Sequence, residues 1–464
     1  MDQSISASLT EKTPPNDAVL TDALSSLQAA VAQRDGRDYP CRVTPHRKFT
    51  SRQKPTPKPA PKPAPKPAPK PVPVPSRLDC FAAVAPGLEP LALAESQRLG
   101  IPARAEEGGI AWSGDIRSVI AANVGLRIAS RVLVRLAEFE ARSFIELERW
   151  AKRIPWTVAV TPGATVRFRV TCRKSRLYHS DAVAQRLAEG VGRAVAGVRT
   201  EDDNAGDDEL LDRGDSALFV VRFFRDRCTV SADASGALLH RRGYRQATAK
   251  APLRETLAAA LVAASEWDGG APLVDPMCGS GTIPIEAALA ARRIPPGAHR
   301  PFAVERWPGV SAELVRAVRN ELGASMLGAA PSSIIGSDRD AGAIESARGN
   351  AERAGVAPDI ALGVHAISAM EVPDAGLGWI VCNPPYGVRV GDSARVRDLW
   401  AQLGNVLRRR APGWRLTLLS PDAGLERQLK IPLSVVARTT NGGIAVRIVV
   451  GTVPRAPVAR TLRR

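Results

Sequence analysis

The stretch LVDPMCGSGTIPIEAALAARR, residues 273–293, decides the prediction of the fold. A short apolar run ends in Asp275, a loop with Gly279 and Gly281 follows, and a helical pattern begins at about Ile283. A buried strand, a glycine loop and a helix in this order are typical of the first unit of a doubly wound parallel sheet. Loop glycines let the backbone approach a ligand, and a helix N-terminus offers unpaired amides to an anion.

Two phosphate-binding patterns fit this loop poorly. The third glycine of a dinucleotide fingerprint is replaced by Pro284, and the lysine of the Walker pattern is missing. The loop therefore disfavours a nucleoside triphosphate or a dinucleotide as its ligand.

The rest of the C-terminal half repeats the strand, loop and helix pattern. It ends in VVARTTNGGIAVRIVVGTV, two β-rich runs around Asn441-Gly442, which is a strong hairpin signal. The predicted fold class is α/β, a Rossmann-like parallel sheet that finishes in a hairpin. Its candidate strands are LVD (273–275), SSIIGS (332–337), DIALGV (359–364), WIVC (379–382) and RLTLLS (415–420).

The second motif with chemical content is IIGSDRDAGAIESARGN, residues 334–350. Asp338 stands at the end of a strand, where a carboxylate can accept hydrogen bonds from both hydroxyls of a ribose. The alternative role for an aspartate here is to cap the following helix, and we assign that role to Asp340.

The third motif, WIVCNPPYGVRV, places Asn383, Pro384, Pro385 and Tyr386 directly after a buried strand. The amine of a nucleobase is a poor nucleophile because its lone pair is delocalised into the ring. The Asn383 side-chain oxygen and the Pro384 carbonyl can accept its two hydrogens and favour a pyramidal nitrogen, while Tyr386 stacks on the base. This chemistry requires no strong general base.

Residues 78–238 predict a smaller α+β architecture ahead of the parallel sheet. LDCFAAVAPGLEPLALAESQRLG contains a strand, a turn at Pro86-Gly87 and a helix, and GGIAWSGD and DIRSVIAANVGL predict a further strand and helix. TVRFRVTCRKSRLYHS predicts a strand that runs into a basic turn, and ALFVVRFFRDRCTVSAD predicts a pair of strands.

The N-terminal region differs in composition. Residues 55–75 read PTPKPAPKPAPKPAPKPVPVP, which predicts a polyproline II segment that serves either as a solvated spacer or as a cationic arm for nucleic acid. Residues 42–77 contain ten Lys or Arg and no acid, a large part of the formal net charge of +17. The chain has neither a membrane-spanning apolar run nor a signal-peptide pattern, so we expect a cytoplasmic protein with no membrane partner.

The six cysteines lie far apart, with no CxxC pair and no histidine at ligand spacing. This pattern predicts reduced thiols and no metal site. Cys278 and Cys382 flank the predicted site, but the order Val-Cys-Asn lacks the Pro-Cys nucleophile motif of cytosine-C5 methyltransferases. We interpret both as small buried hydrophobic residues.

Together the motifs DPMCGSGT, GSD and NPPYG, with RRGYR and APLRETLAAAL upstream, resemble the class I S-adenosylmethionine-dependent RNA guanine-N2 methyltransferases that carry a THUMP domain. The insertion RRIPPGAHRPFAVERW is similar to that of the bacterial 23S ribosomal RNA members. The resemblance spans about residues 78–455. It implies a ferredoxin-like domain over 78–139, a THUMP domain over 140–238 and the methyltransferase domain over 239–456. Outside it, composition predicts a disordered tail over 1–77 and a basic tail over 457–464.

The resemblance also implies S-adenosylmethionine as the cofactor, structured RNA as the partner, and a monomeric enzyme. The implied catalytic residues are Asn383, Pro384, Pro385 and Tyr386. The implied cofactor-binding residues are Asp275, Pro276, Gly279, Ser280, Gly281, Thr282 and Asp338. The basic clusters are either phosphate contacts or a solvated face. As phosphate contacts, the candidate RNA-binding residues are Arg173, Lys174, Arg241, Arg242, Tyr244, Arg245 and Arg389.

Two positions depart from the family pattern. The family's acid that holds the adenine amine is replaced by Ala366, and Ser368 or a backbone amide is the alternative partner for that amine. The family's aspartate five residues before Asn383 is replaced by Gly378. Methylation of ribosomal RNA is the favoured function. The alternatives are transfer RNA as substrate, DNA adenine-N6 or protein glutamine methylation, and an RNA-binding assembly protein with a degenerate active site.

Overall fold

The computed structural model describes residues 75–201, 216–245, 253–386 and 393–455. All of these belong to one compact unit, Pro69–Arg464. Arg389, the tail 457–464 and the Pro/Lys-rich segment apart from its last residue lie outside the described residues, so the expectations for them stay predictions.

The first sheet has eight strands in the order β2-β3-β1-β4-β8-β7-β5-β6. Its strands are β1 (Leu78–Ala83), β2 (Arg104–Glu106), β3 (Gly109–Gly114), β4 (Arg131–Glu140), β5 (Thr165–Arg173), β6 (Arg199–Thr200), β7 (Ser216–Phe224) and β8 (Arg227–Asp233). Its helices are α1 (Glu89–Arg98), α2 (Ile116–Gly125), α3 (Phe144–Ala151) and α4 (Ser180–Ala194), with a 3₁₀ turn at Trp156–Val158.

One antiparallel pairing, between β4 and β8, makes this sheet continuous. The sequence predicts two successive small domains here, and β4 belongs to the first while β8 belongs to the second. Because the two strands share a hydrogen-bonded ladder, both parts of the N-terminal half extend a single surface.

The second sheet has seven strands in the order β11-β10-β9-β12-β13-β15-β14. Its strands are β9 (Leu273–Asp275), β10 (Ile334–Asp338), β11 (Ile360–Val364), β12 (Trp379–Cys382), β13 (Arg415–Ser420), β14 (Leu433–Asn441) and β15 (Ile444–Thr452). Its helices are α5 (Glu255–Ala264), α6 (Thr282–Ala291), α7 (Ala312–Gly323), α8 (Ala341–Arg353), α9 (Ser393–Arg410) and α10 (Ala423–Gln428). Short 3₁₀ turns occur at Ala303–Arg306, Ala357–Asp359 and Ile367–Ala369.

Strands β11, β10, β9, β12 and β13 are parallel, and β15 runs antiparallel to both β13 and β14. The predicted α/β sheet with a closing hairpin is therefore confirmed. The strand order reverses at β9, which pairs with β10 on one side and β12 on the other. In open α/β sheets such a reversal opens a crevice at the carboxyl ends of the strands, and ligands bind there.

The insertion between α6 and β10 packs against the N-terminal half. The Gly297 amide donates to the Val124 carbonyl, and the Val304 amide donates to the Ala234 carbonyl, both at 2.9 Å. A Cβ at position 297 would lie 2.8 Å from the Val124 Cα, so the two backbones meet at van der Waals distance. These contacts hold the first sheet against the domain that carries the predicted site.

No helix within the described residues is long and apolar enough to cross a membrane. The same residues contain no cluster of His, Cys, Asp or Glu that could hold a metal ion. Five cysteines lie in this part of the chain and all are free thiols, and Cys278 and Cys382 are buried as predicted.

The structure gives a physical reason for the glycine at position 378. The Trp414 ring lies against this residue just before β12, and a Cβ there would come within 2.5 Å of the ring carbons. Trp414 itself is 3% exposed. An aspartate at this position would displace the indole, so the departure from the family pattern reflects how this core is packed.

We expect Gly378→Ala to lower the free energy of unfolding by about 1–3 kcal/mol, because the added methyl group overpacks the core against Trp414. Chemical denaturation measures this change. Gly376→Ala is a matched control, since a Cβ at position 376 meets nothing within 4 Å. Equal stability of the two variants would contradict the proposed packing constraint.

Candidate active site

The structure brings the three sequence motifs to one edge of the second sheet. Gly336 of β10 pairs with Asp275 of β9, and Trp379 of β12 pairs with Leu273 of β9. The three strands are parallel neighbours, which places the segments that follow them at the same carboxyl edge. The three motifs therefore frame one crevice.

Asp275, at the end of β9, is 1% exposed. Its Oδ1 accepts a hydrogen bond from the Met277 amide at 3.2 Å, whereas its buried Oδ2 has no hydrogen-bond partner. Burial raises the pKa of Asp275 to about 7, and the charge of Asp338 adds to this effect. A buried carboxylate oxygen without a partner is costly, and a cationic ligand group at this place would satisfy it.

The loop after Asp275 depends on two glycines with positive φ, 53° at Gly279 and 83° at Gly281. A Cβ at Gly279 would meet nothing within 4 Å, so the backbone there is open to a neighbouring molecule. A Cβ at Gly281 would lie 2.9 Å from the Ala347 Cβ of α8. Gly281 is also the N-cap of α6 and provides no side-chain cap, which leaves the first amides of that helix available.

Asp338, at the end of β10, is held by two backbone amides. Its Oδ2 accepts from the Gly279 amide and its Oδ1 from the Asp340 amide, both at 3.0 Å. Each oxygen keeps a second lone pair for a further donor. Asp340 caps α8 by accepting from the amides of Gly342 and Ala343, which confirms its predicted capping role.

Asn383 and Tyr386 are joined by a hydrogen bond from the Tyr386 hydroxyl to Asn383 Oδ1. Burial raises the pKa of Tyr386, so the hydroxyl remains a donor at neutral pH, and a hydrogen bond with the Asn441 side chain opposes this rise. Trp400, on α9, donates from its indole nitrogen to the Pro385 carbonyl at 3.1 Å. This contact anchors the NPPY loop to a fully buried side chain that lies outside the three motifs.

The thiols beside the site are unsuited to nucleophilic catalysis. Burial raises the pKa of both Cys278 and Cys382 well above that of a free cysteine, and the nearby carboxylate Asp275 raises it further. Both groups stay protonated at neutral pH, whereas a thiol must ionise to attack.

The basic residues predicted to bind RNA divide into exposed and buried groups. Arg173, the last residue of β5, and Lys174, which follows it, are exposed, whereas Arg241 and Arg245 are partly buried. Arg242 and Tyr244, however, are only 8% and 3% exposed. The RNA-binding role expected for these two is corrected, because neither side chain presents a surface to a phosphate backbone.

Arg242 and Tyr244 instead surround Glu286, which is 1% exposed on α6. The Tyr244 hydroxyl donates to Glu286 Oε1 at 3.1 Å, and Arg242 Nε lies 3.5 Å from the same oxygen. In the sequence, this cluster is indicated by a single acid, Glu286, within the otherwise apolar helix TIPIEAALAA. Buried charges need partners, and the partners lie in the RRGYR motif.

Known proteins with the same architecture identify the family. Residues 242–445 match the family UPF0020, described as an RMKL-like methyltransferase domain, and residues 79–133 match the RlmL ferredoxin-like domain. A Synechocystis protein named as a putative RNA methyltransferase is 32% identical over 78% of this chain and 94% of its own length. The Syntrophotalea carbinolica ribosomal RNA large subunit methyltransferase K/L is 35% identical over 79% of this chain, which spans 52% of that longer protein.

Solved structures support the same assignment. A Listeria monocytogenes protein described as a predicted N6-adenine-specific DNA methylase is 31% identical, with a TM-score of 0.71 over 80% of this chain and 96% of its own. A putative methyltransferase, SMU.472, crystallised with S-adenosylhomocysteine, is 27% identical, with a TM-score of 0.71 over 82% of this chain and 99% of its own. From its sequence and its fold, this chain belongs to the family of RMKL-like, S-adenosylmethionine-dependent methyltransferases.

Proposed function

We propose that this enzyme methylates the exocyclic N2 amine of a guanosine in structured RNA, with ribosomal RNA favoured over transfer RNA. The observation that carries this proposal is the position of Asn383 directly after β12, beside the strand that ends in Asp275. A hydrogen-bond acceptor for an amine, Asn383, and a site for a cationic ligand, Asp275, thus lie in one crevice.

The residues at the carboxyl edge fit the cofactor S-adenosylmethionine. Asp275 Oδ2, buried and without a hydrogen-bond partner, suits the ammonium group of the methionine part. The loop from Pro276 to Thr282 has free space beside Gly279 and ends in an uncapped helix start, and both features suit its carboxylate. Asp338 is fixed by two amides and suits the ribose hydroxyls. The bound cofactor supplies an electrophilic methyl group.

The NPPY loop would prepare the target amine. Asn383 Oδ1 has a second lone pair beside the one that the Tyr386 hydroxyl occupies, and it can accept one amine hydrogen while the Pro384 carbonyl accepts the other. The Tyr386 bond holds the amide oxygen toward the loop. This arrangement orients the nitrogen lone pair without a base, which agrees with the raised pKa values of the neighbouring thiols.

RNA as the substrate class is supported by the relatives and by the charge of the chain. Both curated relatives are named as RNA methyltransferases, and one of them as a ribosomal RNA enzyme. The exposed Arg173 and Lys174 suit phosphate contacts on the first sheet, where the sequence predicts a THUMP domain. Arg241, Arg245 and Arg389 remain further candidates for contacts to RNA. We also propose that the enzyme acts in the cytoplasm as a monomer without a metal ion.

A second candidate is methylation of adenine N6 in DNA, because the Listeria neighbour is described by that activity. The same Asn and Pro acceptors serve either amine, so the site alone does not distinguish the two bases. Transfer RNA remains the alternative within the RNA class.

Mass spectrometry of nucleosides distinguishes these substrates. In a strain that lacks this protein, we expect one N2-methylguanosine to disappear from ribosomal RNA, and the purified enzyme should restore it. Loss from transfer RNA would move the assignment to that class. Full retention of N2-methylguanosine together with loss of N6-methyladenine from DNA would overturn the proposal.

We expect Asn383→Ala to lower kcat about a hundredfold or more, because it removes an acceptor that acts on the reacting nitrogen. Calorimetry should show unchanged affinity for S-adenosylhomocysteine. Asn405→Ala, an exposed asparagine on α9, is the matched control with wild-type turnover expected. Retained turnover in Asn383→Ala would contradict the proposed role.

Affinity for S-adenosylhomocysteine should depend on pH through Asp275. Its pKa of about 7 means that the carboxyl is largely protonated below neutral pH, whereas an ammonium partner requires the carboxylate. We expect affinity to rise about tenfold between pH 6 and pH 8. Calorimetry at both values tests this, and Asp275→Asn should bind weakly at both. An equal pH dependence in the two proteins would show that another group is responsible.

A further inference from the structure

The cofactor loop, which we define as residues 278–282, is tied to two side chains from distant parts of the sequence. The Ser280 carbonyl accepts a hydrogen bond from Asn350 Nδ2 at 3.0 Å. The Thr282 hydroxyl accepts one from Arg245 Nη2 at 2.8 Å. Asn350, on α8, is 1% exposed. The loop is therefore held at its middle and at its end by groups that lie outside the motif.

Arg353 determines which way the Asn350 amide faces. Its Nη2 donates to Asn350 Oδ1 at 2.5 Å, and its Nε donates to the Tyr244 carbonyl at 2.7 Å. A guanidinium can only donate, so the amide oxygen must face Arg353 and the amide nitrogen must face Ser280. The opposite orientation would set Asn350 Oδ1 against the Ser280 carbonyl, with two acceptors in contact.

A glycine within α8 leaves room for this arginine. A Cβ at Gly349 would lie 3.2 Å from Arg353 Nη1, closer than ordinary van der Waals contact. Glycine lowers the stability of a helix interior, and here it leaves space that the folded-back Arg353 guanidinium occupies.

The segment that carries Arg245 also contacts the N-terminal half. Arg242 Nη2 donates to the Arg127 carbonyl at 2.5 Å, and Arg242 and Tyr244 share Glu286 on α6. Glu286 stands four residues after Thr282, one helical turn further along α6. The first turn of α6 is thus joined at both ends to residues 242–245.

We propose that Arg245 and Arg353 are positioning residues that hold the cofactor loop in the shape that binds S-adenosylmethionine. The inference rests on the proposed cofactor role of this loop. A loop fixed before binding loses less conformational freedom when the ligand arrives, and it therefore binds more tightly. Releasing either arginine weakens binding by loosening the loop, which Arg245 contacts directly and Arg353 contacts through Asn350.

The decisive variant is Arg353→Met in the full chain, because Arg353 is an exposed residue whose replacement leaves the core intact. We expect the Kd for S-adenosylhomocysteine, measured by calorimetry, to rise about three- to tenfold. KM for S-adenosylmethionine should rise by a similar factor, and kcat at saturating cofactor should change less. Arg245→Met should act in the same direction, and Arg245→Lys should partly restore binding because it keeps a donor for Thr282.

Arg292→Met is the matched control, since Arg292 lies at the opposite end of α6. Its guanidinium donates to the carbonyls of Leu327 and Gly355 and pairs with Asp359, so its loss costs similar contacts without touching the loop. We expect a lower Tm with an unchanged Kd. A wild-type Kd in Arg353→Met, or an equally raised Kd in Arg292→Met, would overturn the inference. Failure of the wild-type protein to bind S-adenosylhomocysteine would contradict the proposed cofactor loop itself.

Discussion

The parallel pairing of β9 with both β10 and β12 is the constraint on which the site depends. Asp275, Asp338 and Asn383 are separated by 63 and 45 residues in the chain, yet the first two end β9 and β10 and the third follows β12, and these strands are adjacent. Neighbouring strands lie about 4.8 Å apart, so a short crevice collects all three groups. A different strand order would leave the same residues on separate parts of the surface.

The same crevice contains a buried carboxylate that is costly to ionise. Asp275 is almost completely buried, and its raised pKa shows how far its surroundings disfavour the charged form. Proteins retain such groups where a ligand or a reaction needs them. The proposed cofactor ammonium would turn this destabilised carboxylate into a specific contact, and this connects the packing of β9 with the chemistry of the site.

A buried arginine also joins the two halves of the molecule, because Arg242 pairs with Glu286 and donates to the Arg127 carbonyl of the N-terminal half. Arg242 and Glu286 meet in the interior, and breaking such a pair costs far more than its formation contributes, because one charge would remain without a partner. The pair therefore supports a fixed arrangement more than overall stability. It connects the segment after the first sheet to the helix that begins at the cofactor loop, so the N-terminal half helps to set the shape of the site.

Much of this architecture could be predicted from the sequence, because its signals are local. Short apolar runs predict β9, β12 and β13, and Asn441-Gly442 predicts the turn of the hairpin. The three motifs indicate the chemistry. Tertiary structure decided what depends on contacts between distant segments: the ladder between β4 and β8, the need for Gly378 beneath Trp414, and the interior position of Arg242 and Tyr244. The basic RRGYR motif is typical of a phosphate-binding surface. The sequence does not show that Arg242 and Tyr244 of this motif contact Glu286 in the interior. Local pattern thus determined the elements and the candidate reacting groups, and the burial of charge decided which basic residues lie in the interior beside them.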